Sequence, residues 1–235
     1  MNTEKNAGRV AGLWYLSIAL FYSFSMIYVD SVFYVPGDLG ATVSNIHGGG
    51  LVFRLGLLSC LIGHICFIFL VNALYRLFEG VDRNLARQMV FLVLAGVAVA
   101  FLNRLNQLAA ILLLDDGVSL SAFAVSQREA LAMFFLELHR NGERIASLFW
   151  ALWLFPLGLL IHKSDLIPKA FAFLLIAAGA SYLVGFILNF FLPDLAAPTK
   201  TLRSVVETGA ELSFIVWLLI RGAKPRERRP AVVEE

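Results

Sequence analysis

Charge is what this chain has least of. Asp, Glu, Lys and Arg make up 15% of its 235 residues, against roughly a quarter in an ordinary soluble domain. The shortage excludes a fold that covers itself with solvated side chains. Cysteine is nearly missing too. Cys60 and Cys66 lie six residues apart in one apolar stretch, more than a helical turn, so no disulfide is expected and both read as small hydrophobes. No HExxH occurs, which removes the usual two-histidine zinc motif. No GxSxG occurs either, so the HGGG at 47–50 has no nucleophile elbow to serve and reads as a glycine-rich loop. No internal repeat is found. Pro156 is the one proline deep inside an apolar stretch, so the paired broken helices of many transporters are absent.

What remains is hydrophobicity, at 59% of residues with a mean hydropathy of +0.78. A spanning helix needs roughly 20 mainly apolar residues. Such stretches cover 9–33, 51–78, 88–114, 170–192 and 202–220. A longer one runs over 128–161, where a single helix would reach roughly 50 Å against a ~30 Å hydrocarbon core. It is therefore read as an interfacial helical segment, 128–140, and a spanning segment, 143–161, hinged near Gly142. "VPGDLGATVSNIHGGG" reads as a loop with one helical turn, and "PDLAAPTK" and "DDGVSLSAFAVSQ" as loops, with 119–121 along the interface. "MNTEKNAGR" resembles the basic start of a signal peptide. The apolar run after it exceeds the usual 7–15 residues and no cleavage site follows, so it reads as a retained first span.

The predicted fold is thus all-α and polytopic, with six transmembrane helices in one domain, 1–222, and a charged, disordered cytoplasmic tail, 223–235. With six spans, twelve Lys and Arg fall on the side of the termini and six on the other, with Arg104 inside a helix. The positive-inside rule then puts both termini in the cytoplasm. The basic tail suits anionic lipid better than nucleic acid, and no nucleic-acid partner is expected.

Counting rise per residue places Glu211 near the midplane, with Glu207, Asn103, Arg104, Asn106, Gln107, Glu143, Arg144 and Asn189 in the outer third. His64 falls near mid-membrane and Arg54 near the outer boundary. Charges facing lipid cost at least ~2.5–3.5 kcal/mol each, so these groups are expected to face one another or a wet cavity. Glu207 and Glu211 share a helix face at i, i+4, and so do His139 and Glu143 if the helix continues through Gly142.

The blocks "RVAGLWYL", "VPGDLGAT", "FRLGLLS", "LNRLNQLAA", "FLELHRNGERIASLFWALWLFPLGLLI", "SDLIPKAFAFLLIAAGASYL" and "TGAELSFIVWLLIRG" run in order over 9–222. Together they resemble the bacterial membrane proteins grouped as domain of unknown function 4386. The resemblance implies a single six-helix domain in a bacterial inner membrane and no particular substrate.

Three readings of the polar residues stay open. In the leading one an outward-facing polar cavity, built by the second, third, fourth and sixth spans, binds or moves a small amphiphile or lipid-like anion. Arg54, Arg104 and Arg144 would contact the anion, beside Asn103, Asn106, Gln107 and Glu137, and Glu211 and His64 would form a deep ionisable pair. In the second, an intramembrane enzyme acts on lipid, with Glu211, His64 and Glu207 in acid–base roles or His139 and Glu143 as ligands of a divalent metal. In the third the charges only lock the bundle, with Arg104 paired to Glu207 or Glu211. No cofactor is expected apart from that metal, membrane lipids are the expected partners, and the oligomeric state is open.

Overall fold

The structure is a computed structural model that describes residues 3–115 and 122–225. The expected interfacial stretch at 119–121 and most of the expected tail, 226–235, lie outside the described residues. The first helical stretch is α1 (Thr3–Tyr22), continued by a π-helical segment (Ser23–Val29) and by α2 (Asp30–Phe33). Then follow α3 (Leu39–Gly48), α4 (Gly50–Phe78), α5 (Arg83–Leu114), α6 (Val125–Leu152), α7 (Leu154–Lys163), α8 (Ala170–Phe191) and α9 (Pro193–Arg221). No strand occurs among the described residues.

Five stretches are long and apolar enough to cross a membrane: Thr3–Phe33, Gly50–Phe78, Arg83–Leu114, Val125–Lys163 and Ala170–Phe191. They make the chain a multi-pass membrane protein. Large apolar side chains such as Leu20, Phe91, Leu102 and Phe191 stand on the outer faces, where lipid rather than water would meet them.

Four expectations from the sequence are corrected by local chemistry. The hinge at Gly142 is absent, because α6 runs through it without interruption. The break falls at Trp153, three residues before Pro156. Pro156 has no N–H for the carbonyl four residues back, and its ring crowds that turn. "PDLAAPTK" is the start of α9 rather than a loop. Pro193 occupies the first helical position, where a missing N–H costs nothing. The loop after the first span holds a ten-residue helix, α3, capped by Asp38, whose carboxylate accepts from Ala41 N–H at 2.9 Å. The tail is docked at its root: Ala223 is buried and the Lys224 N–H donates to the Leu166 carbonyl at 2.8 Å.

The ends of the described chain meet at one end of the bundle. Arg9 donates to the Ile220 carbonyl at 3.0 Å. Gly8 and Gly12 let α1 lie directly on α9, since a Cβ at Gly12 would come within 3.0 Å of Leu218. That is the small-residue contact by which membrane helices approach closely. The α4–α5 and α7–α8 connections sit at this end as well, joined by Lys163 and Asp82 at 2.7 Å.

Two apolar clusters fill the interior. The larger gathers Tyr15, Leu70, Phe78, Met89, Leu157 and Phe214, and the smaller gathers Val29, Phe33, Ile46, Phe53, Ile111 and Leu136. Along α5 the larger cluster ends at Val97 and the smaller begins at Ala110. The buried Asn103, Arg104 and Gln107 occupy the seam between them.

Asp82 caps α5 by accepting from the N–H groups of Asn84 and Leu85, both at 3.1 Å. The Lys163 ammonium, together with these N–H groups, holds its carboxyl below the usual carboxylate range. A carboxyl depressed in the folded state adds stability that is present above its unfolded value and is lost as pH falls through the folded one. Asp82→Asn keeps the cap acceptor but not the charge. We expect it to lower the melting temperature of the detergent-solubilised protein slightly at pH 7. The difference from wild type should close below about pH 4, as followed by thermal unfolding across a pH series.

Candidate functional site: a buried arginine node and an aromatic cavity

The polar residues of the spans separate into two groups. The first is centred on Arg104 of α5, whose side chain is 5% exposed. One terminal nitrogen, Nη1, donates to Gln107 Oε1 at 2.9 Å and to His139 Nε2 at 3.0 Å. The other, Nη2, lies 3.1 Å from Glu143 Oε1 and 2.7 Å from Cys60 Sγ. A guanidinium can only donate, so His139 Nε2 is the acceptor. The His139 proton is therefore on Nδ1, which donates to the Asn103 carbonyl at 3.3 Å.

Asn103 completes the node. Its amide nitrogen donates to the His139 carbonyl at 2.8 Å and to Glu143 Oε1 at 3.2 Å, and its oxygen accepts from Asn106 at 3.1 Å. Gly142 makes this possible, because a Cβ there would overlap the Asn103 amide. Gly142 is thus a contact point between α5 and α6 and not a hinge. Two atoms of the node, Arg104 Nε and Glu143 Oε2, are buried without a hydrogen-bond partner.

His64 adjoins the node from α4. Its Nδ1 donates to the Cys60 carbonyl at 2.7 Å, its Nε2 is unpartnered, and its ring packs against Tyr22, Phe101 and Trp150. The expected deep pair of His64 with Glu211 is not formed. Arg104 is paired with neither Glu207 nor Glu211, since its carboxylate is Glu143.

The second group is on α9. Glu211 accepts from the Tyr15 hydroxyl at 2.6 Å and from the Tyr182 hydroxyl at 2.7 Å, one on each oxygen. Glu207, one turn away, accepts from Ser181 at 2.9 Å. Glu211, Tyr15 and Tyr182 border a cavity of about 570 Å³ between α1, the π-helical segment, α6, α8 and α9, and Glu207 and Ser181 do not line it. Glu143 and Arg144 reach it from α6, and Phe67, Trp150 and Trp153 form part of its wall. Trp153 is 2% exposed and stacked edge-on with Phe67 at 5.0 Å, so it is an interior residue.

The remaining expected residues lie elsewhere. Arg54 is on the surface, paired with Asp115 at 2.6 Å. Glu137 accepts from the Tyr34 hydroxyl and lies 3.7 Å from Arg140, whose guanidinium sits 3.9 Å over the Tyr34 ring. Burial and the hydrogen bond to the Glu137 carboxylate raise the Tyr34 phenol above its usual range. Arg144 is exposed at the cavity rim and donates to Asn141 at 3.0 Å. Among the described residues no three His, Cys, Asp or Glu side chains come together as a metal site. His139 Nε2 and Glu143 Oε1, on the two candidate metal ligands, both face the Arg104 guanidinium.

Sequence reasoning passed over Tyr15, Tyr22, Tyr182 and Cys60. One signal was present: Tyr15 and Tyr22 are seven residues apart and so share a helix face. Cys60 and His64, at i, i+4, carried the same information.

The fold and its interior polar node define an all-helical, multi-pass membrane protein. The chain belongs to the family described as Domain of unknown function (DUF4386), whose model matches residues 10–222. No curated protein and no solved structure matches it.

Two variants test the node. Removing one member of a buried ion pair leaves the other uncompensated. Arg104→Gln and Glu143→Gln should each destabilise, and the double variant should lose less than their sum, with a coupling of about 0.5–3 kcal/mol. Thermal or denaturant unfolding of the four proteins measures it. Gly142→Ala should expel the Asn103 amide and cost about 1–3 kcal/mol, read in the same assay.

Proposed function

We propose that this protein lies in the bacterial inner membrane with six spans, α9 being the sixth, and both ends in the cytoplasm. The excess of Lys and Arg in the segments expected on the cytoplasmic side supports this orientation. So does the packing of α9 along α1 and α8, which gives its charged groups protein to face. Its function is to bind or move a small amphiphile in the cavity between α1, α6, α8 and α9. One observation carries the reading: a cavity of about 570 Å³ at the level of the spans, walled by apolar and aromatic side chains with a few polar groups. That is the size and lining of a small-molecule site.

Arg104 does not serve as an anion receptor here. Both of its terminal nitrogens are taken by groups of the protein itself, and of the three arginines expected to hold an anion only Arg144 borders the cavity. The node around Arg104 instead supports a locking role, tying α4, α5 and α6 together. Lock and cavity share Glu143, which belongs to both.

Native mass spectrometry of the purified protein is the direct test. We expect a co-purifying amphiphile in stoichiometric amount, lost in Ala19→Phe, which fills the cavity, without a comparable fall in melting temperature. A wild-type protein that carries nothing and binds nothing added would leave only the locking role.

A further inference from the structure

We propose that the cavity between α1, α6, α8 and α9 takes the head of a lipophilic ammonium ion, with Glu211 as its counter-ion. This rests on the amphiphile reading above and adds the sign and chemistry of the ligand. Three features of the cavity lead to it.

The first is Glu211 itself. Both of its oxygens accept from tyrosine hydroxyls, and accepting twice is what an ionised carboxylate does best. Hydroxyl donors solvate that charge but do not cancel it. The ion pairs among the described residues are Arg54–Asp115, Arg104–Glu143, Arg140–Glu137 and Lys163–Asp82, and none of them includes Glu211. An intramembrane charge is expensive unless something of opposite sign faces it, and an ammonium ion in the cavity would supply that charge.

The second is a pair of unused polar atoms. Glu143 Oε2 and the Tyr22 hydroxyl are buried without a hydrogen-bond partner, and both residues border this cavity. A carboxylate oxygen takes only donors, and a hydroxyl oxygen accepts as readily as it donates. A primary or secondary ammonium brings two or more N–H groups, the donors that both atoms lack. An anionic head would meet the lone pairs of Glu143 and Glu211 instead. Arg144, the one basic side chain on the rim among the described residues, is exposed and bonded to Asn141, so its charge is spent largely on solvent and on α6.

The third is the wall. Phe67, Trp150 and Trp153 are packed together at centroid distances of 5.2 and 5.0 Å, and Tyr15 and Tyr182 flank Glu211. Aromatic faces attract cations through their quadrupole and give alkyl chains an apolar surface. Walls of this kind around a carboxylate suit a cation with a hydrocarbon tail.

The test uses the full chain in maltoside detergent, with tryptophan fluorescence reporting binding of three probes that share a tail: dodecylammonium, dodecyl phosphate and dodecanol. We expect dodecylammonium to bind about tenfold or more tightly than the other two. Glu211→Gln should abolish that preference, and Glu211→Asp, which keeps the charge, should retain most of it. Thermal unfolding confirms that both variants are folded. Equal or tighter binding of dodecyl phosphate or dodecanol would overturn the inference, as would a preference that survives in folded Glu211→Gln. In either case the amphiphile reading stands if Ala19→Phe blocks the probes. If none of the three binds wild type in a way that Ala19→Phe blocks, the amphiphile reading fails and this inference with it.

Discussion

A guanidinium group taken out of water has to be matched bond by bond, and the burial of Arg104 among the spans sets the terms for everything around it. Its terminal nitrogens reach α4 through Cys60 and α6 through His139 and Glu143, while Gln107 holds the group from its own helix. Apolar side chains slide past one another with little penalty in a lipid setting, because the surrounding tails are as apolar as they are. A buried charge cannot slide. Only a narrow range of helix positions keeps all its partners, so the node sets the register of three long helices that apolar packing alone would leave loosely specified.

Several neighbouring features follow from that demand. Gly142 is needed because Asn103 must lie flat on α6 to reach the His139 carbonyl. His139 is held in one tautomer because Arg104 claims its Nε2. The two apolar clusters lie on either side of the node, so the charged layer is covered from both directions. Glu143 then acts as a bridge. One oxygen closes the ion pair with Arg104, the other is buried without a partner, and the residue borders the aromatic cavity. Lock and cavity are therefore coupled through a single carboxylate, with Glu211 a separate group beyond it.

The spans were legible in the sequence because hydrophobicity is additive along the chain, and 51–78 was read almost to the residue of α4. Part of the polar layer was legible for a related reason: depth follows from helical rise, and Asn103, Arg104, Gln107 and Glu143 do meet. Glu207 and Arg144 bond elsewhere, and His139 joins from the stretch expected at the interface. Pairing was not legible. Arg104 had Glu143, Glu207 and Glu211 at plausible depth, and nothing in the spacing says which helix lies beside α5. The bend was misplaced for a local reason. The length of the stretch asks for a break and makes Gly142 the expected hinge, whereas the missing N–H of Pro156 decides where the ladder opens. The tyrosines escaped because a tyrosine in an apolar run looks like any other large side chain until an acceptor is placed against its hydroxyl.

By itself the sequence determined that this chain enters a membrane, roughly where its spans begin and end, and that the polar residues within those spans must find one another. Each of these follows from free energies that act residue by residue, the cost of desolvating a charge and the gain from placing apolar surface in lipid. Which residues find one another was decided only in the tertiary structure. Helix neighbours are chosen by packing shape, as where Gly8 and Gly12 admit α9 and Gly142 admits Asn103. Those choices paired Arg104 with Glu143 and left Glu211 to two tyrosines. They also opened the cavity, because a space between helices belongs to no segment of the chain.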